Sequence, residues 1–213
     1  MNLNGKDKVT QNGIEATIPK PMHQNELTEE EKIRQIQEHF TKIMQVLGLD
    51  INDSSLKETP HRIAKMYVKE IFSGLNPRNF PKITLFDNTY GYHEMLIEKD
   101  ITLYSYCEHH FVPIIGKVHI GYFPQDKVIG LSKINRLVKF WASRPQVQEK
   151  LTMEIATSLK SVLNTEDVAV YIEADHLCVA SRGIKDISSL TKTGYYGGKF
   201  KEPSIKQEFL NGI

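Results

Sequence analysis

Two hydrophobic periods divide the chain. In the first part, Ile33, Ile36, Phe40, Ile43, Met44 and Leu47 recur at helical spacing and predict one apolar stripe. Thr28-Glu-Glu-Glu31 ahead of the stripe has the form of a capping box, and Gly48 behind it is a stop signal. Thr59-Pro60 predicts the start of a second helix, because proline suits the first helical position. Ile63, Met66, Tyr67 and Phe72 are its inward side and Gly74 its end. Residues 27–79 therefore read as a helical N-terminal region, a hairpin of two helices. The stretch 1–26 is rich in Asn, Gly, Lys, Thr and Gln, carries Pro19 and Pro21, and reads as a mobile arm.

From Phe80 the period shortens. Ile83–Phe86, Met95–Glu98, Ile101–Tyr104 and Lys117–Phe123 predict strands, with Pro113 and Gly116 breaking the run between the last two. Lys133–Trp141 returns to helical spacing. Pro145 predicts the start of a long helix whose inner face is Val147, Leu151, Ile155, Leu159 and Val162/Leu163. Val168–Glu173 leads a strand towards Cys178, Thr191–Phe200 reads as extended or looped, and Ser204–Leu210 as a short final helix. Strands and helices in blocks, rather than in strict alternation, predict an α+β fold, with residues 80–213 as one domain.

Composition removes several classes of function. The chain has 213 residues, 40% hydrophobic and 25% charged, which is ordinary for a globular protein with a real core. A formal net charge of +1 gives no basic field for nucleic acid. No apolar run reaches the length of a membrane span, and the N-terminus lacks the apolar core of a secretory signal. Only two cysteines in this length point to a reducing compartment, hence the cytoplasm.

Those two cysteines carry the candidate chemistry. Cys107-Glu-His-His110 and His176-Leu-Cys178 place three of the eight histidines within three residues of a cysteine. On a tight turn Cys107 and His110 can face one point, and on a strand His176 and Cys178 share a face. Two thiolates and an imidazole with a fourth position left to water is the pattern of a catalytic zinc site, whereas structural zinc uses four protein ligands. Spacing alone leaves buried thiols or a disulfide equally open.

Glu58-Thr-Pro-His-Arg62, Cys107-Glu-His-His-Phe111, Gly130-Leu-Ser-Lys-Ile-Asn-Arg136, Arg144-Pro-Gln-Val-Gln-Glu149, His176-Leu-Cys178 and Arg182-Gly183 follow one another along the chain. In these blocks and their order, residues 28–210 closely resemble GTP cyclohydrolase I. The resemblance implies a tunnelling fold: a four-stranded antiparallel sheet with two helices on one side, here preceded by the helical hairpin. It implies subunits whose sheets join into a barrel, as a homodecamer of two pentamers. It implies Zn2+ held by Cys107, His110 and Cys178, proton transfer by His109 and His176, and guanine recognition by Glu149 with Gln148 beside it. Ser132, Lys133, Arg136, Arg182 and Arg62 match the family's ribose and phosphate contacts, which there come from neighbouring subunits. The implied reaction opens the imidazole ring of GTP, releases formate and forms 7,8-dihydroneopterin triphosphate, the first step towards pterins and tetrahydrofolate. No nucleic acid or membrane partner is implied. Lys206 and Thr193-Gly-Tyr-Tyr196 depart from the family's pattern.

Overall fold

The computed structural model describes residues 7–11, 14–18 and 27–213. Its centre is a five-stranded sheet in the order β7-β4-β5-β8-β9. The strands are β4 (Leu96–Cys107), β5 (Pro113–Tyr122), β7 (Pro145–Gln146), β8 (Val168–His176) and β9 (Thr191–Tyr196). The four long strands are antiparallel, and the two-residue β7 lies parallel to the end of β4 at Tyr106 and Cys107. The α+β expectation holds. The hairpin of β1 (Asp7–Gln11) and β2 (Ile14–Ile18) falls within the stretch read as a mobile arm. The rest of that stretch lies outside the described residues. A further ribbon pairs β3 (Leu85–Asp87) with β6 (Lys127–Ile129).

The core lies between one sheet face and two helices, α3 (Leu131–Ala142) and α4 (Gln148–Leu163). On β4, Ile101, Leu103 and Ser105 are buried while Thr102 and Tyr104 are exposed, the alternation of a strand with one face covered. Leu103, Leu137, Leu151, Ile155 and Leu159 are fully buried. Each such side chain contributes about 1.5–3 kcal/mol relative to exposure. Trp141 joins the helices by donating its indole N–H to Ser158 Oγ at 2.9 Å. On the opposite face a smaller cluster, Phe123, Ala169, Phe200 and Phe209, seats α6 (Pro203–Gly212).

Several predicted boundaries move. Met95–Glu98 and Ile101–Tyr104 belong to one strand, β4, interrupted by a register shift between Glu98 and Ile101. Asp100 there adopts φ 59°, the left-handed region that an aspartate tolerates at a bulge. Pro113 opens β5 rather than breaking it, and Gly116 sits within it. A Cβ on Gly116 would meet Glu173 O of β8 at 2.1 Å, so only glycine lets these backbones approach so closely. Pro145 pairs in β7, and α4 starts three residues later at Gln148. Cys178 is not on the strand: β8 ends at His176 and Cys178 lies in a helical turn, α5 (Leu177–Ala180).

Ahead of the sheet, α1 (Glu29–Val46) packs on α2 (Thr59–Met66). The capping box is present: Thr28 and Glu31 exchange side-chain-to-backbone bonds. A π-helical turn, Tyr67–Ile71, continues α2. Tyr67 and Phe72 then meet Phe111, and Phe72 meets Tyr106, edge to face, which docks the helical region beside the β4–β5 turn. The predicted stripe on α1 is only partly covered. Met44 is buried, but Ile43 is 48% and Leu47 70% exposed, because α2 is shorter than α1 and covers only part of it.

Candidate metal centre

At the end of β4 the chain turns back into β5 through five residues. Val112 O accepts from Cys107 N and Cys107 O from Phe111 N, each at 2.9 Å, and Phe111 takes φ 54° to close the loop. That tight turn brings His110 round to Cys107, with Nδ1 3.8 Å from Sγ. His176 pairs with Ile114 on β5, so the next turn, α5, delivers Cys178 to the same point. The ligand atoms of Cys107, His110 and Cys178 all lie within 4.8 Å of one another. Donors about 2.3 Å (S) and 2.0–2.1 Å (N) from a tetrahedral ion stand about 3.5–3.8 Å apart, so a small contraction lets the three share one metal.

Burial pushes the Cys178 thiol above its ordinary pKa, and the hydrogen bond and charge of Cys107 beside it push the same way. Two thiols packed together are costly to ionise without a cation, and a bound metal removes that cost. Both cysteines are free.

Other groups converge here. His109 Nδ1 is 3.6 Å from Cys107 Sγ, and its exposed ring reaches Glu108 at 3.9 Å. Lys150 binds Glu108 at 2.6 Å. His176 is half-buried; burial lowers its pKa, while the charges of Glu149 and Asp175 oppose that shift. Glu149, exposed in the first turn of α4, is thus close enough to act on this imidazole. Gln148 is almost wholly buried beside it: its Oε1 is 2.8 Å from His176 Nε2, and its Nε2 contacts Ile172 O, Thr191 O and Thr193 Oγ1, each at 3.1 Å. Arg182 Nη1 donates to His110 Nε2 at 2.9 Å.

Ser132, Lys133 and Arg136 are elsewhere. Asn135 of α3 donates to Glu98 and Ser105 of β4 to Ala142 O, so α3 runs alongside β4 with its first turn at the far end of the strand. Glu98 is nine residues before Cys107, so Ser132 and Lys133 in that first turn lie towards the strand end remote from Cys107. Arg136 lines a groove of about 250 Å³ with Lys139 and Phe140 of the second half of α3, Ser143 just after it, and Ser73 and Asn79. Arg62 is exposed on α2, five residues before Tyr67. Sequence reasoning missed Glu108, Lys150, Thr152 and Thr193; Glu108 alone carried a signal, its place between Cys107 and the histidines.

Fold and site together define an α+β protein with a three-donor candidate metal centre ringed by histidine, carboxylate and basic side chains. The chain matches the family described as GTP cyclohydrolase I over residues 36–213 and belongs to that family. It is 53% identical over 209 residues to the GTP cyclohydrolase 1 of Flavobacterium johnsoniae, covering 97% of this chain and 94% of that one. Against the GTP cyclohydrolase 1 of Citrobacter koseri it is 54% identical over 202 residues, covering 94% and 90%. Among solved structures, the apo form of the archaeosine synthase QueF-Like aligns with a TM-score of 0.42 at 16% identity, over 49% of this chain and 93% of that one.

Proposed function

We propose that this chain is a zinc-dependent GTP cyclohydrolase I: GTP and water give formate and 7,8-dihydroneopterin triphosphate. The observation that carries the proposal is the convergence of Cys107, His110 and Cys178 within 4.8 Å in a chain of this family. Two soft thiolates with an imidazole favour zinc over harder cations. A zinc ion in that donor set supplies Lewis acidity and activates water at neutral pH.

The chain's own residues do the rest. The two oxygens of Glu149 accept in parallel from guanine N1–H and the 2-amino group; adenine lacks that donor pair and would leave the carboxylate unmatched. This fixes C8, the carbon lost as formate, against the metal-site donors. Opening the imidazole ring, releasing formate, rearranging the ribose and closing the pyrazine ring all require proton transfers. His176 and His109 carry these, because imidazole titrates near neutrality. Arg182 grips triphosphate oxygens as a bidentate donor. With His110 Nδ1 committed to a metal, Nε2 carries the proton and repels Arg182, which frees the guanidinium for phosphate.

Ser132, Lys133, Arg136 and Arg62 complete the triphosphate and ribose contacts from a neighbouring subunit. The first turn of α3, with Ser132 and Lys133, lies towards the end of β4 remote from Cys107, which supports that division for those two residues. The sheet supports it too: β9 at one edge and most of β4 at the other have no strand partner among the described residues. Such edges fit the tunnelling-fold barrel and a homodecamer of two pentamers. Among the described residues no helix is long and apolar enough to cross a membrane. Two free cysteines fit a reducing cytoplasm. Incubation with GTP tests the proposal through formate and a pterin that fluoresces after oxidation; GTP returned intact by the zinc-loaded protein would refute it.

A further inference from the structure

We propose that Gln148 acts through His176, locking its neutral imidazole as the tautomer with the proton on Nε2 and the lone pair on Nδ1. This rests on the reading of His176 as a proton-transfer residue. It assigns Gln148 a positioning role instead of a direct contact with the base.

Thr152 Oγ1 donates its single proton to Gln148 O at 2.8 Å. In the 2.7 Å contact between Thr152 Oγ1 and Thr193 Oγ1, Thr193 therefore has to be the donor. That leaves a lone pair on Thr193 Oγ1 facing the Gln148 amide. Two backbone carbonyls, Ile172 O and Thr191 O, face the same end of the amide. Three acceptors surround that end, so it has to be the NH2. Reversing the amide would set its oxygen against two carbonyl oxygens in a site that is 1% exposed, with the desolvation cost unrelieved. The amide oxygen is thereby forced to face His176 Nε2, 2.8 Å away. An amide oxygen only accepts, so Nε2 donates. In the neutral ring Nδ1 then holds the free lone pair.

The lock spans the sheet. Gln148 opens α4, His176 ends β8 and Thr193 is in the edge strand β9, so the seating of β9 and the state of the imidazole are coupled. Thr193 lies in the Thr193–Tyr196 stretch that departs from the family's pattern.

Two-bond 1H–15N correlation on zinc-loaded, 15N-histidine-labelled protein reads the tautomer without any turnover. The expected result is a protonated Nε2 and a bare Nδ1 on His176; a protonated Nδ1 overturns the proposal. Gln148→Met keeps the side-chain volume and removes the acceptor. The expected effect is a mixture of tautomers, with kcat for GTP lowered about tenfold and KM within about twofold of the parent. A raised KM with kcat unchanged would show that the amide contacts the base directly, and would overturn the positioning role. If that variant does not fold, the parent protein's spectrum still decides. A protein with the expected tautomer but no action on GTP would refute the proposed reaction and leave the lock standing.

Discussion

Cys107, His110 and Cys178 supply all three protein donors of the candidate centre, so each single replacement leaves two. Cys107→Ser, His110→Ala and Cys178→Ser are each expected to weaken zinc binding by more than about 100-fold, beyond what loss of an outer partner costs. Metal analysis after dialysis checks this; stoichiometric zinc in any of the three would remove that residue from the set. Glu149→Gln presents an NH2 to a guanine donor and keeps one acceptor. Loss of a charged partner is expected to cost about 1.5–3 kcal/mol in kcat/KM for GTP, roughly 10- to 100-fold. Unchanged turnover would exclude Glu149 as the reader of the base. At this scale the cysteines and histidines were legible because their spacing is short and their types are rare. The ion pair of Glu108 with Lys150 and the contact of Thr152 with Thr193 were not. They join residues 42 and 41 apart, and such distant contacts leave no spacing pattern.

Among the elements, the strand β5 is where sequence and structure part most clearly. Pro113 and Gly116 are turn residues by type. Here Pro113 sits at the first position of a strand, where a missing N–H is tolerated, and Gly116 makes room for the β8 backbone. Gly116→Ala is expected to lower stability by about 3 kcal/mol, at the upper end for overpacking, because the obstructing atoms are backbone. Urea unfolding measures it; a loss below about 0.5 kcal/mol would mean that β5 and β8 separate easily. The two runs read as separate strands, Met95–Glu98 and Ile101–Tyr104, are one strand because the bulge at Lys99 and Asp100 hides their continuity. That bulge is held by His119, whose Nδ1 accepts from Asp100 N at 3.3 Å. Burial lowers the His119 pKa below 6.5, although Asp100 and Glu173 oppose it. The unfolded chain therefore binds this proton more readily. The stability it confers is present above pH 6.5 and is lost as pH falls through the lower folded value. His119→Gln is expected to flatten that acid limb, measured by unfolding between pH 7 and pH 5. An unchanged slope would place the dependence elsewhere.

For the whole molecule, the proposed function gives one chain a complete candidate metal centre but leaves part of the triphosphate contacts to a neighbouring subunit. Ser132 and Lys133, in the first turn of α3, stand towards the end of β4 remote from Cys107. The two sheet edges are open among the described residues, and Val46, Leu47 and Ile187 are well exposed. Assembly accounts for all three features at once. Light scattering on the purified protein is expected to give about ten times the chain mass of 24.4 kDa. A monodisperse monomer with full activity would show that the phosphate contacts come from a single chain. Little of this was legible in periodicity, because an exposed apolar residue and one buried against a second subunit look alike in sequence.

The central claim is that the protein removes C8 of GTP. GTP labelled with 13C at C8, incubated with the zinc-loaded protein and followed by 13C NMR, tests this without coupling reactions. The account predicts that the label leaves as formate, one per GTP consumed, with the triphosphate intact, and that protein stripped of metal releases none. Label retained in a purine ring while phosphate is set free would contradict it.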